Sequence, residues 1–191
     1  MDCLLFLQAS LYFCIFVSGF LVCVPVGINR TRFGDMCILY GDAYGNLISG
    51  SAASNCDFPI YFGIFGMIIF GLLAGVCFGY FTYKSRSDKD VGKGMWTVPF
   101  IPLNAISCIM TLVTACILSV GIKVFCDNIE EHYHSCAALE YTTLTTSGTN
   151  TNTGDFLAVS SISQAGGWTG FLLYAIQTGI SVWRFFQNRK G

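Results

Sequence analysis

The stretch that decides the fold is Phe58–Tyr83, FPIYFGIFGMIIFGLLAGVCFGYFTY, which holds no charged side chain. A bilayer core about 30 Å thick is crossed by roughly 20 apolar residues in helical conformation. Residues 58–83 exceed that length, and residues 4–26, 98–125 and 166–186 match it. Within the four, Lys123 is the only ionisable residue apart from Arg184, which flanks the end of the last one. Four membrane helices follow, packed as an all-α bundle in a single membrane domain over residues 1–191. Outer loops at 27–57 and 126–165 and an inner loop at 84–97 join them. The whole-chain composition agrees: 53% of the 191 residues are hydrophobic, 11% are charged, and the mean hydropathy is +0.60. A soluble domain carries about 25% charged residues. That difference excludes a cytosolic enzyme, and a net charge of −1 with a pI near 6.0 offers nucleic acid no basic surface.

Charge placement gives the orientation. Lys84, Arg86, Lys89 and Lys93, with Arg184, Arg189 and Lys190, lie on the side of the termini, against Arg30, Arg32 and Lys123 on the other. The two faces carry +4 and −5, together the −1 of the chain. The excess of Lys and Arg predicts cytoplasmic N- and C-termini in a protein of the secretory pathway or plasma membrane. Tyr83, Trp96 and Trp183 fit the inner boundary, and Trp168 the outer one. The first stretch reads as retained rather than as a cleaved signal, because its early charge is the acidic Asp2 and no A-x-A site follows.

Ten cysteines divide by depth. Cys37, Cys56, Cys126 and Cys136 fall in the outer loops, an oxidising setting that predicts two disulfides. Pairing within each loop is the first expectation, and pairing across the loops stays open, since sequence does not fix connectivity. Cys3, Cys14, Cys23, Cys77, Cys108 and Cys116 lie in or beside the spans, with Cys3 a candidate for acylation. In the first outer loop, CILY, GDAYGN and LIS suggest a small β-hairpin turning at the Gly/Asp/Asn run. Asn29-Arg30-Thr31 is an N-glycosylation sequon. The Thr/Asn/Gly/Ser run from Thr142 to Gly154 is expected to stay without order.

Candidate packing features are Gly71, Gly75 and Gly79 at four-residue spacing, which let another backbone approach closely. Packing within the bundle is the default partner for this seam, and docking on another membrane protein or a second copy is the alternative. Gln8, Asn104 and Gln177 lie at similar depth and predict one interhelical polar cluster. Glu130, Glu131, His132 and His134 offer metal-ligand chemistry between two cysteines, but a solvated acidic loop is the plainer reading, so no metal is assigned. No cofactor, small-molecule substrate or catalytic constellation emerges, so the chain is not expected to be an enzyme.

The runs FGDMCILYG (Phe33–Gly41) and ACILSVGIKVFCDNI (Ala115–Ile129), with HSC (His134–Cys136), resemble the transmembrane protein 179 family, and its B branch more closely. The resemblance implies a four-pass membrane protein without established enzymatic activity. It carries over Cys37, Cys126 and Cys136, and Cys56 less directly. The chain departs from the family in ending at Gly191 without a long polar tail. Three functions follow as expectations. The first is an accessory subunit or organiser acting through helix packing with a membrane partner. The second is a tetraspan adhesion or junction component acting through its outer loops, and the third a self-assembling pore. Lipid and another integral membrane protein, or a second copy, are the expected partners.

Overall fold

The computed structural model describes residues 3–44, 47–85, 99–130, 136, 143–146, 149–152 and 154–190. Four long helices form an up-down bundle: α1 (Cys3–Arg32), α2 (Ser54–Lys84), α3 (Phe100–Glu130) and α4 (Phe156–Lys190). The first three are long and apolar enough to cross a membrane. The 35-residue α4 is long enough but interrupts its apolar run with Ser160, Ser163, Gln177 and Ser181, all buried. All four helices run past the apolar stretches that announced them. The clearest case is α4, which starts at Phe156 and not near Gly166. Phe156, Ser160, Ser163 and Gly167 fall on its buried face at helical spacing. Small hydroxyls there lower the hydropathy without breaking the helix.

The helix α1 is central, packing against both α2 and α4, while α4 packs on α3. Lipid tails are as apolar as leucine, so helices in a bilayer associate by close packing and hydrogen bonding. The closest approach of a glycine to the backbone of another helix joins Gly19 of α1 to Gly63 of α2. A Cβ on Gly19 would stand 2.7 Å from Ile68 Cγ1 and 3.0 Å from Gly63 O. Gly63 opens a π-helical segment, Gly63–Ile69, inside α2. There the Phe70 N–H turns to Phe65 O, five residues back, and the Tyr174 hydroxyl of α4 donates to Gly66 O. A wider turn in one helix thus has one of its carbonyls taken by a side chain of another.

At the loop end, α1 stops at Phe33-Gly34-Asp35, with φ of 65° at Gly34 and 63° at Asp35, and the Asp35 N–H closes on Arg30 O at 3.0 Å. Glycine takes that left-handed conformation without a Cβ clash. The chain then enters a four-stranded sheet, β1 (Cys37–Tyr44), β2 (Leu47–Ser51), β3 (Thr143–Thr146) and β4 (Thr149–Asn152), in that order. Strands β1 and β2 form the antiparallel hairpin, but β1 runs through Gly41-Asp42-Ala43-Tyr44, residues read from sequence as its turn. A bulge between Cys37 and Asp42 takes up the extra residues. The Thr/Asn-rich run is a correction: Thr143–Thr146 pairs antiparallel with Thr149–Asn152, and Leu47↔Thr145 joins that hairpin to the first in parallel. β-Branched threonine favours extended backbone, and the first hairpin supplies an open edge. The polar composition that argued against order concerns burial, which a backbone ladder does not need.

The Gly19–Gly63 crossing gives a stability test. Gly19→Ala should destabilise the protein by about 1–3 kcal/mol, the usual range for overpacking a tight contact, and so lower its melting temperature in detergent. Gly79→Ala, where an added Cβ meets nothing within 4 Å, should leave the melting temperature unchanged. Equal effects of the two changes would mean that the Gly19–Gly63 crossing is not a tight contact.

Candidate functional site

Three regions hold the residues that sequence singled out. The first is the outer cap. Cys37 is bonded to Cys56 and Cys126 to Cys136, each pair within one loop, with Cα separations of 5.7 and 5.2 Å. The bulge in β1 presses Leu39 and Tyr40 onto α3 at Gly121. A Cβ on Gly121 would stand 2.6 Å from Leu39 Cδ2 and 3.0 Å from Tyr40 Cε2. Tyr40 holds φ at 62°, an unusual value for a bulky residue, and the Ser51 hydroxyl donates to Leu39 O across the bulge. Beneath it, Phe33, Phe125 and Phe156 meet edge to face, with ring centroids 6.0 and 5.4 Å apart. The two cysteine-centred runs of the sequence therefore pack on each other. Asn128 adds hydrogen bonds to Gly41 O at 3.2 Å and to Asp42 Oδ1 at 2.6 Å.

Asn29 of the sequon belongs to this region. The helix α1 continues through the sequon to Arg32, and the Asn29 side chain is 7% exposed. Its Nδ2, the atom a glycan would occupy, donates to Ser160 Oγ of α4 at 3.2 Å. Neighbouring Arg30 pairs with Asp57 of α2, and Arg32 donates to Gly154 O at 2.8 Å. Each of the three residues is used to fasten α1 to another part of the chain. Glu130 ends α3, while Glu131, His132 and His134 lie outside the described residues.

The second region is the polar interior near the termini. Gln8, Asn104 and Gln177 are all buried, but in two layers one helical turn apart. In the layer nearer the termini, Gln8 Nε2 donates to Ser181 Oγ at 3.5 Å, and Arg184 Nη1 donates to Gln8 Oε1 at 3.1 Å. Arg184 was assigned by sequence to the flanking tail, yet it is 6% exposed and turned into the bundle. In the second layer the Tyr12 hydroxyl donates to Asn104 Oδ1 at 3.0 Å, with Asn104 Nδ2 at 2.8 Å from the same oxygen. Gln177 approaches this hydroxyl, although neither amide atom reaches a partner among the described residues in hydrogen-bonding geometry. Sequence reasoning missed Tyr12, Ser181 and Arg184. Tyr12 reads as one more aromatic in a membrane span, and its only signal is the i, i+4 step from Gln8.

The third region is the glycine seam, which the structure divides. Gly71 faces α1 closely, where a Cβ would lie 3.1 Å from Phe16 N and 3.3 Å from Tyr12 O. At Gly75 the nearest atom is Tyr12 Cβ at 3.5 Å, and at Gly79 nothing lies within 4 Å. The two helices thus part toward the termini. Between them a groove of about 450 Å³ opens, lined by Ala9, Ser10, Phe13, Gly71, Gly75 and Val76 among others. Phe13 and Val76 are exposed at its rims. A groove with a glycine floor can receive a lipid chain or the flank of another helix at short range.

Comparison with known proteins adds the following. The family model described as the transmembrane protein 179/179B claudin domain matches residues 4–191. Transmembrane protein 179B of Danio rerio is 24% identical over 196 residues, covering 98% of this chain and 85% of its own length. No solved structure matches the chain.

The placement of Asn29 gives a direct test. N-glycosidase treatment of the protein expressed in a secretory host should leave its electrophoretic mobility unchanged. A mobility shift that Asn29→Gln abolishes would be incompatible with an Asn29 amide held by Ser160.

Proposed function

The chain belongs to the transmembrane protein 179/179B claudin-domain family, and from that membership we propose that it is a non-enzymatic accessory subunit or organiser of another integral membrane protein. The observation that carries this reading is the groove between α1 and α2, with Gly71 and Gly75 in its lining and open space one turn further on at Gly79. There a partner helix can approach closely without displacing a side chain of this chain. The excess of basic residues beside the termini supports an orientation with both termini in the cytoplasm and the sheet outside. Among the described residues, Ile15, Met67, Ala115 and Leu118 fill the middle of the bundle and are fully buried, which supports packing as the work of the interior.

In this role the chemistry is recognition alone. Helix α2 offers backbone at Gly75 and Gly79, and the rims at Phe13, Leu72 and Val76 set the depth of insertion. A partner with small residues facing Gly75 gains van der Waals contact along two or three turns, as in other glycine-mediated membrane contacts. A second reading, adhesion through the outer loops, draws support from one observation. Strand β4 forms an open edge of the sheet that joins both loops, and such an edge can pair with another chain.

Purification in mild detergent should recover the chain with a membrane partner. Gly79→Leu should cut that recovery several-fold while the melting temperature stays near that of the unaltered protein. A lone monomer in every mild detergent would count strongly against the accessory role. The second reading expects cells expressing the protein to aggregate only while the loop cysteines are intact, and silence in that assay removes it.

A further inference from the structure

At the loop end a small cavity lies among α1, α3 and α4, walled by Leu118, Phe125 and Phe156 and touched by Asn29, Ser160 and Ser163. It leaves about 20 Å³ for the centre of a water-sized sphere. One water needs roughly 10–15 Å³ on that measure, together with two to four polar partners. The polar partners are present. Asn29 is more than nine-tenths buried, its Nδ2 is used on Ser160 Oγ, and its Oδ1 has no donor among the described residues. A buried carbonyl oxygen without a donor costs about 1–3 kcal/mol, so the site calls for one. Exchanging the amide oxygen and nitrogen does not remove the demand, since one of the two atoms would still face the cavity unpaired.

We propose that this cavity is a binding site for a single structural water, which donates to Asn29 Oδ1 and accepts the proton of the Ser160 hydroxyl. Ser160 Oγ accepts from Asn29, so its own proton is left to give. Ser163 spends its proton on Ser160 O at 2.8 Å, which leaves its oxygen to accept the second hydrogen of the water. A neutral ligand is the one that fits. The nearest charge, Arg30, is already paired with Asp57, and an ion set among Leu118, Phe125 and Phe156 would lack a counter-charge. The water completes a clamp between α1 and α4 directly beneath the disulfide-closed cap, because Cys56 also borders the cavity. It accounts for an asparagine and two serines set beside Leu118, Phe125 and Phe156, and it gives the sequon asparagine a packing role.

The test is a structure of the full chain in lipid, at a resolution that shows ordered water. A spherical peak about 2.7–3.2 Å from Asn29 Oδ1 is expected, and it should vanish in Asn29→Leu, whose side chain fills the space. Solution spectra in nanodiscs give an independent reading: a cross-peak between a long-lived water and the Asn29 side-chain amide, absent in Asn29→Leu. A dry cavity, a protein donor on Oδ1, elongated density from a lipid chain, or a peak that persists in Asn29→Leu would each overturn the assignment.

Discussion

The rest of the molecule depends on how closely α1 and α2 cross at Gly19 and Gly63. In water a bundle is held by the exclusion of apolar surface. In lipid that drive is absent between helices, and contact distance takes its place. Two facing glycines bring the backbones together, and α1 then sits deep enough to face α4 on its other side. There Gly166 meets Leu21 and Val22 of α1, while Gly167 meets Ala115 of α3. The bundle is therefore built around small residues at both faces of its central contact. Large side chains such as Phe6, Phe65 and Leu73 are turned out to the lipid.

The same crossing accounts for the groove. Going from Gly71 to Gly75 to Gly79, α1 recedes from α2, because Tyr12 and Phe78 wedge between them with ring centroids 5.3 Å apart and Phe100 of α3 backs Phe78 at 5.2 Å. Tyr12 cannot withdraw from that position, since its hydroxyl is held by Asn104. The interior polar pair thus fixes an aromatic wedge, and the wedge sets how far the membrane-facing groove opens. Polar contacts in lipid contribute about 0.6–2 kcal/mol each. Their larger effect here is geometric.

Much of this was legible in the sequence, and what was not has identifiable physical causes. Apolar runs of bilayer length located the helices, and the small hairpin showed in the CILY and LIS strands. Helix ends were not legible, because Phe156–Ala165 and Arg30–Arg32 carry the polar side chains that hydropathy reads as loop. Their place in a helix is decided by neighbours: buried Ser160 meets Asn29, and exposed Arg32 donates to Gly154 O. The glycine seam was visible as a pattern, but a pattern on one helix does not reveal where the facing helix turns away. That depends on Tyr12, Phe78 and Phe100, which lie 22 residues or more apart in the chain. Arg184 shows the same limit: an arginine at the end of a span ordinarily extends toward water, and here it is turned inward and donates to the amide of Gln8 on a distant helix.

The outer cap follows from a similar dependence, in which one strained residue is held by everything around it. Tyr40 keeps a positive φ because the bulge must turn Leu39 and Tyr40 together onto Gly121. Any side chain at position 121 would push them off. Backbone strain of this kind costs about 1–3 kcal/mol and persists only where its surroundings over-determine it. Here the surroundings are Cys37–Cys56 on one side of the bulge, the pairing of Asp42 with Ser49 on the other, and Asn128 bonded to Gly41 O beneath. The cap is thereby tied to α3 by the Leu39 and Tyr40 side chains packed on Gly121 and by the Asn128 amide on Gly41 O and the Asp42 carboxylate.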